Sequence, residues 1–343
     1  MQSVRLLMIG LGNVGQGLLT ILIEQEQSLR QYGLNFSVVG VNDLRLGSLA
    51  DPRGLSLPDL LAAAAQGDLN RVAAEKKGLS VEDMLEQVDY DVLVEASYTN
   101  LQSGEPATGY IRKAVSSRKH VVTTNKGPIA LHYPELQSLA EQNGVRIGFE
   151  GTVMSGTPAI FLGMNWLKAA GIQRIQGILN GTTNFILTKM EEGMEYAEAL
   201  AEAQRLGYAE ADPTGDVEGY DAAGKVVILS NVLMGHSIAM GEVDRQGITH
   251  LTSADIRDAQ RAGQRWKLIG TIEAVEGTIR ASVKPRMLPL SHPLAQVMGA
   301  TNAITYTTRY LGEVTLIGAG AGRLQTGYAL LADLLSIYRR ESS

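Results

Sequence analysis

Short apolar runs alternate with helix-period stretches through the first 150 residues. Val4 to Ile9 reads as a strand that ends at Gly10, and Val14 to Arg30 carries apolar positions at helical spacing. Phe36 to Val41, Tyr90 to Ala96, His120 to Thr123 and Val145 to Phe149 read as further strands. Helical stretches near 106–117 and 134–143 separate the later ones. The Ala-rich segment Asp51 to Glu86 is longer than a crossover needs and reads as a helical insertion. Strands alternating with helices in this way predict an α/β fold, with a doubly wound parallel sheet and right-handed crossovers.

From about residue 151 the pattern changes. Helices are expected near 157–169, 195–206, 221–235 and 253–263, and strands near 174–179, 267–275, 278–285 and 303–308. Grouped helices and strands predict a second domain of α+β type. Glu313 to Gly322 reads as a strand followed by a glycine turn, and Tyr328 to Tyr338 as an apolar helix. The expected division is therefore 1–150, with 313–343 returning to it, and 151–312. No regulatory module is expected in the few residues after Tyr338.

At 343 residues the chain is long enough for two domains, and 45% hydrophobic with 19% charged residues is ordinary for a globular protein. A net charge of −6 offers no basic surface for nucleic acid. The absence of cysteine excludes disulfides, thiolate metal sites and cysteine nucleophiles, and fits a reducing cytosol. The N-terminal apolar run is too short for a signal peptide. No apolar run reaches the ~18 residues of a membrane span. A cytoplasmic protein with no membrane partner is the expectation. None of the five histidines has metal-ligand spacing with another histidine or acid.

Candidate chemistry begins at Gly10-Leu11-Gly12-Asn13-Val14-Gly15, a GxGxxG loop between a strand and a helix. The first glycine permits a tight turn, the second lets the backbone approach a pyrophosphate, and the third lets helix and strand pack. This places a dinucleotide on a Rossmann-type domain, with phosphates at the helix N-terminus. Asp43 and Arg45 follow the second strand, where the ribose is read. An acid there favours NAD and an arginine accommodates NADP, so both cofactors remain open. Lys126 leaves a parallel strand at its carboxyl end, where ligands bind, although a lysine there can equally reach only water.

Glu150 to Pro158 is rich in small residues, and its carbonyls can hold a monovalent cation or simply form a helix-entry turn. Asn180-Gly181-Thr182-Thr183-Asn184 can hydrogen-bond a small polar substrate or serve only as a helix N-cap. Gly207 to Lys225 puts acids and one lysine on a turn-rich loop that enters a helix. Asp221 and Lys225, four apart, share a helix face. A carboxylate one turn away offsets the cost of burying a lysine able to transfer a proton. The alternative is an ordinary surface ion pair.

In order and spacing these segments, with Gly318-Ala319-Gly320-Ala321-Gly322, resemble the homoserine dehydrogenase family over nearly the whole chain. The resemblance implies an NAD(P)-dependent oxidoreductase interconverting L-homoserine and L-aspartate 4-semialdehyde, for threonine, methionine and isoleucine synthesis. It implies a second domain that binds substrate and forms a homodimer. It assigns proton transfer to Lys225, with Lys126 beside the cofactor and the reacting oxygen. Glu210, Asp216, Asp221, Tyr208 and Thr182 become substrate contacts. Gly10, Gly12, Asn13, Val14, Gly15, Asp43, Arg45, Ser97, Thr99, Lys126, Gly207, Glu210 and Gly322 become cofactor contacts. The carbonyls of Glu150, Val153, Ser155 and Thr157 match a sodium-type cation site. The chain departs from the family where Gln325-Thr326-Gly327 replaces the usual Pro-Thr-Ala, where Gly215 replaces an acid, and in its long Asp51–Glu86 insertion. Two other readings fit parts of the pattern. A reductase of another aldehyde would fit the glycine loop, though the Gly207–Lys225 block argues against it. A non-catalytic dinucleotide sensor would leave the acid–lysine cluster without a role.

Overall fold

A computed structural model of the protein describes residues 1–338. The chain forms two compact units, Met1–Gly156 with the segment from Gly322, and Thr157–Ala321.

The first unit is built on strands β1 (Gln2–Ile9), β2 (Leu34–Asp43), β3 (Gly47–Ala50), β4 (Lys76–Lys77), β5 (Val92–Glu95), β6 (His120–Thr123) and β7 (Ile147–Gly148). They lie in the order β4-β3-β2-β1-β5-β6-β7. β2, β1, β5, β6 and β7 run parallel, while β3 and β4 add antiparallel edges. The helices are α1 (Asn13–Glu24), α2 (Glu26–Gln31), α3 (Leu57–Ala65), α4 (Val81–Gln87), α5 (Ala107–Ser116) and α6 (Lys126–Asn143). The central strands are apolar on both faces, as a parallel sheet covered by helices requires. One core joins Leu6, Met8, Val38 and Val94 to Leu18 and Leu330, and the other joins Leu7, Leu93 and Val121 to Ile111 and Leu136. The strand order reverses between β1 and β5, which makes their carboxyl ends the ligand-binding crevice of such a sheet.

The second unit contains α7 (Ala159–Leu162), β8 (Ile172–Ile178), α8 (Gly181–Glu191), α9 (Tyr196–Arg205), α10 (Thr214–Val217), α11 (Tyr220–Leu229), β9 (Asp244–Arg245), α12 (Ser253–Arg261), β10 (Gln264–Val275), β11 (Thr278–Pro289), β12 (Thr301–Thr308) and β13 (Gly312–Ala319). Its mixed sheet runs β13-β12-β8-β10-β11-β9.

Three expectations change. The strand starting near 313 does not return to the first unit, because β13 pairs along its whole length with β12 of the second sheet. The return begins at Gly322 and continues as α13 (Arg323–Tyr338). α13 lies against α1 at two glycines: a Cβ on Gly17 would stand 2.0 Å from the Arg323 carbonyl, and one on Gly327 2.5 Å from the Leu18 nitrogen. The Asp51–Glu86 insertion is only partly helical and also carries β4, which extends the sheet edge through β3. The helix expected from 134 starts at Lys126, where Asn125 accepts from the Gly127 N–H at 3.1 Å as its N-cap. Gly127 and Pro128 hid this start, yet proline in a first helical turn loses no hydrogen bond.

Candidate active site

In the first unit the glycine loop spans the gap between β1 and α1. Gly10 takes φ +96°, and a Cβ there would lie 2.3 Å from the Ala96 carbonyl. A Cβ on Gly15 would lie 2.6 Å from the Gly10 carbonyl, so the turn is as tight as a pyrophosphate loop requires. At Gly12, the N-cap of α1, a Cβ would meet nothing within 4 Å, and no side chain caps the helix. Asn13 and Val14 then open α1. The loop therefore presents open backbone and unpaired helix N–H groups, which fits a dinucleotide phosphate.

Asp43 ends β2 and braces this loop. Its Oδ2 accepts from the Leu11 N–H at 2.8 Å, and its Oδ1 accepts from the Arg45 N–H at 2.9 Å. The Arg45 side chain is exposed. Ser97 and Thr99 lie on the loop after β5. Ser97 donates through both N–H, at 2.9 Å, and Oγ to Glu95, and Thr123 Oγ1 donates to the same carboxylate at 2.8 Å. Glu95 is wholly buried, and burial pushes its pKa up. It ties the ends of β5 and β6 together. A lone acid closing an apolar strand is its one signal in the sequence, and no motif marks it. Lys126 is half-buried at the first position of α6. The helix dipole disfavours a cation there, so helix stability does not account for it.

Glu150, Val153 and Ser155 belong to the first unit, and Thr157 opens the second. The backbone between them turns through left-handed Met154 (φ 60°) and Ser155 (φ 56°). Such conformations are uncommon for non-glycine residues, and of the four carbonyls that of Glu150 accepts from the Val153 N–H at 3.3 Å and that of Thr157 from the Ala159 N–H at 2.7 Å. Gly322 takes φ +136° ahead of α13.

The second unit assembles the acid–lysine cluster. α11 is apolar and buried from Ala222 to Leu229 except for Lys225, which is itself buried. Lys225 Nζ lies 2.8 Å from Asp221 Oδ2 and donates to the Leu179 carbonyl at 2.6 Å. Asn180, the N-cap of α8, donates from Nδ2 to Asp216 Oδ1 at 2.6 Å and to Asp221 Oδ2 at 3.1 Å. Its Oδ1 accepts from the Thr183 N–H at 2.9 Å. Burial, and then the neighbouring Asp221 charge, push the Asp216 carboxyl upward, against the Asn180 hydrogen bond that lowers it. The exit of β8 and the entry of α11 thus meet through Leu179, Asn180, Asp216, Asp221 and Lys225. Asn180 and the Leu179 carbonyl are members of this site that the sequence motif contained but did not single out.

The other expected substrate contacts lie around the Tyr208 loop. Thr182 Oγ1 donates to the Tyr208 carbonyl at 2.7 Å, and the Tyr208 ring packs on Phe185 at 5.0 Å. The Thr182 hydroxyl therefore fastens this loop to α8. Gly207 and Glu210 are exposed, and among the described residues the Glu210 carboxylate takes no hydrogen bond. Among the described residues no group of three or more histidine and acidic side chains could hold a metal, and no helix is long and apolar enough to cross a membrane.

Comparison with known proteins covers nearly the whole chain. The family model described as homoserine dehydrogenase matches residues 158–335, and that of the homoserine dehydrogenase NAD binding domain matches residues 10–150. The chain is 44% identical to the NAD(+)-dependent homoserine dehydrogenase of Pseudomonas canavaninivorans, covering 99% of this chain and 97% of that protein. It is 38% identical to the homoserine dehydrogenase of Methanocaldococcus jannaschii, covering 97% and 98%. Among solved structures, a putative homoserine dehydrogenase from Archaeoglobus fulgidus superposes with TM-score 0.87 at 36% identity, covering 98% of this chain and 99% of that one. A hyperthermophilic archaeal homoserine dehydrogenase mutant in complex with NADPH gives 0.84 at 33%, covering 98% of each.

Proposed function

The chain belongs to the homoserine dehydrogenase family, and we propose that Lys225 moves the proton in its NAD(P)-dependent interconversion of L-homoserine and L-aspartate 4-semialdehyde. The observation that carries this is the setting of Lys225 on buried α11. Two fixed partners, Asp221 and the Leu179 carbonyl, engage its ammonium. An ammonium has three donors, so one is left for a substrate oxygen.

The nicotinamide ring, when bound, supplies a hydride to the aldehyde carbon or takes one from the alcohol carbon. In reduction the Lys225 ammonium gives a proton to the oxygen as the carbonyl becomes an alcohol. In oxidation the neutral amine takes the hydroxyl proton. Asp221 holds the lysine in place and offsets its charge. Lys126 aligns the same oxygen. Glu210 accepts the substrate ammonium, Asp216 and Asp221 are the further acids of the substrate site, and Tyr208 and Thr182 shape the loop around it.

Gly10, Gly12, Asn13, Val14 and Gly15 hold the cofactor phosphates. Asp43 and Arg45 face the adenosine ribose, Ser97 and Thr99 make further cofactor contacts, Gly207 and Glu210 border the nicotinamide ribose, and Gly322 closes over the cofactor. The cofactor is NAD or NADP on this reading. An NAD(+)-dependent relative and an NADPH-bound neighbour both support it. The carbonyls of Glu150, Val153, Ser155 and Thr157 hold a sodium-type cation. The working form is a cytoplasmic homodimer built on the second unit, which the family resemblance supports.

The test is turnover of homoserine by Lys225→Ala. Activity should drop roughly 10²–10⁴-fold, with cofactor binding retained by fluorescence titration. Near-normal turnover would remove Lys225 from the mechanism.

A further inference from the structure

Asn302, the second residue of β12, is wholly buried, yet neither Nδ2 nor Oδ1 of its carboxamide has a hydrogen-bond partner. A buried polar group left unpaired is destabilising, and such a group calls for an explanation. Two glycines stand against it. A Cβ on Gly320 would lie 2.2 Å from Asn302 Cγ, and one on Gly181 3.3 Å from Asn302 Oδ1. Gly181 is the first residue of the 11-residue helix α8. The unpaired amide therefore adjoins helix N–H groups that have no intrahelical acceptor.

Register places Asn302 beside the lysine cluster. Ala303 pairs with Ile178, so Asn302 comes level with Leu179, whose carbonyl receives the Lys225 ammonium. Side chains alternate along a strand, so Asn302 shares a face with Ile304, which pairs with Gly177. On that face, next to Gly177, a Cβ on Gly270 would touch both Leu179 and Val226 of α11. Asn302 thus lies on the α11 side of the sheet, at the end where β8 hands over to α8.

The cluster has acids for a substrate ammonium. Its one lysine is committed to the reacting oxygen, which leaves the α-carboxylate of an amino acid without a donor. We propose that Asn302 is a substrate-binding residue that reads the amino-acid head group. Nδ2 donates to the α-carboxylate, Oδ1 accepts from the α-ammonium, and the first N–H groups of α8 support the carboxylate. A carboxamide offers one donor and one acceptor side by side, which matches a zwitterion. The assignment rests on the reading of the Lys225 cluster as the substrate site.

The experiment compares the full-length wild type with Asn302→Leu and Asn302→Ala by steady-state kinetics and thermal melting. The expected result is a KM for homoserine raised about tenfold or more, with an unchanged KM for the cofactor. The Asn302→Leu protein should melt no lower than wild type, because the unpaired amide is gone from an apolar replacement of similar shape. An unchanged homoserine KM in either variant would overturn the assignment. So would failure of both variants to fold, since the amide would then be a structural group. Failure of the Lys225 reading shows separately, as normal turnover of Lys225→Ala.

Discussion

Lys225 Nζ and Asp221 Oδ2 lie 2.8 Å apart, one turn from each other on a helix buried from Ala222 to Leu229. Exposed pairs of this spacing contribute only ~0.3–0.5 kcal/mol. Here the lysine is buried, so its carboxylate partner offsets a much larger desolvation cost. Replacing Asp221 by Asn should destabilise the protein by roughly 1–3 kcal/mol and lower kcat more than it weakens cofactor binding. In a Lys225→Met background the same replacement should be nearly neutral. Chemical denaturation of the four proteins of this cycle checks it, and equal costs in both backgrounds would show that the pair is not coupled.

Asp216 gives a pH signature. Burial, reinforced by the Asp221 charge, raises its native pKa above the unfolded value. Below the unfolded value both states hold the proton. As pH climbs through the native value, the folded protein must give up a proton it favours, so this contribution to stability is lost. Asp216→Asn should therefore raise the melting temperature near neutral pH, and the gain should vanish at about pH 3.5, below the unfolded value. Activity should fall at the same time. A gain of equal size at both pH values would contradict the assignment.

Cofactor choice should respond to Arg45. Its side chain is exposed beside Asp43, which is held by the Leu11 and Arg45 N–H groups. A guanidinium in that place can bond a 2′-phosphate, at roughly 1.5–3 kcal/mol for a charged hydrogen bond. Arg45→Ala should weaken NADP+ by about tenfold or more and leave NAD+ nearly unchanged. Parallel KM measurements for the two cofactors decide the matter. Equal weakening of both would show that Arg45 holds the loop and does not read the phosphate.

The α1–α13 contact predicts a stability effect remote from the cluster. A Cβ on Gly17 would stand 2.0 Å from the Arg323 carbonyl, which belongs to backbone and cannot swing away. Gly17→Ala should cost roughly 1–3 kcal/mol by overpacking, despite the better helix propensity of alanine. A melting temperature at or above wild type would show that α13 shifts freely.

The first unit was largely legible along the chain because its signals are local. An apolar strand, a GxGxxG loop and an amphipathic helix each occupy a few consecutive residues, and right-handed crossovers leave few ways to join them. The Asp221–Lys225 pair was equally local, because helical spacing alone puts both side chains on one face. The start of α6 at Lys126 was hidden, since glycine and proline read as a turn until the Asn125 cap shows them inside a first helical turn. What only the tertiary structure decided depends on pairing between distant segments. β13 carries the same strand–glycine–helix pattern that would suit a return to the first sheet, and its register with β12 keeps it in the second. Asn180 meets Asp216 and Asp221 across 36 and 41 residues, and Glu95 meets Thr123 across 28. Asn302 comes level with Leu179 only through strand pairing. Periodicity records which face a residue turns to the core, and nothing in it records which distant residue waits there.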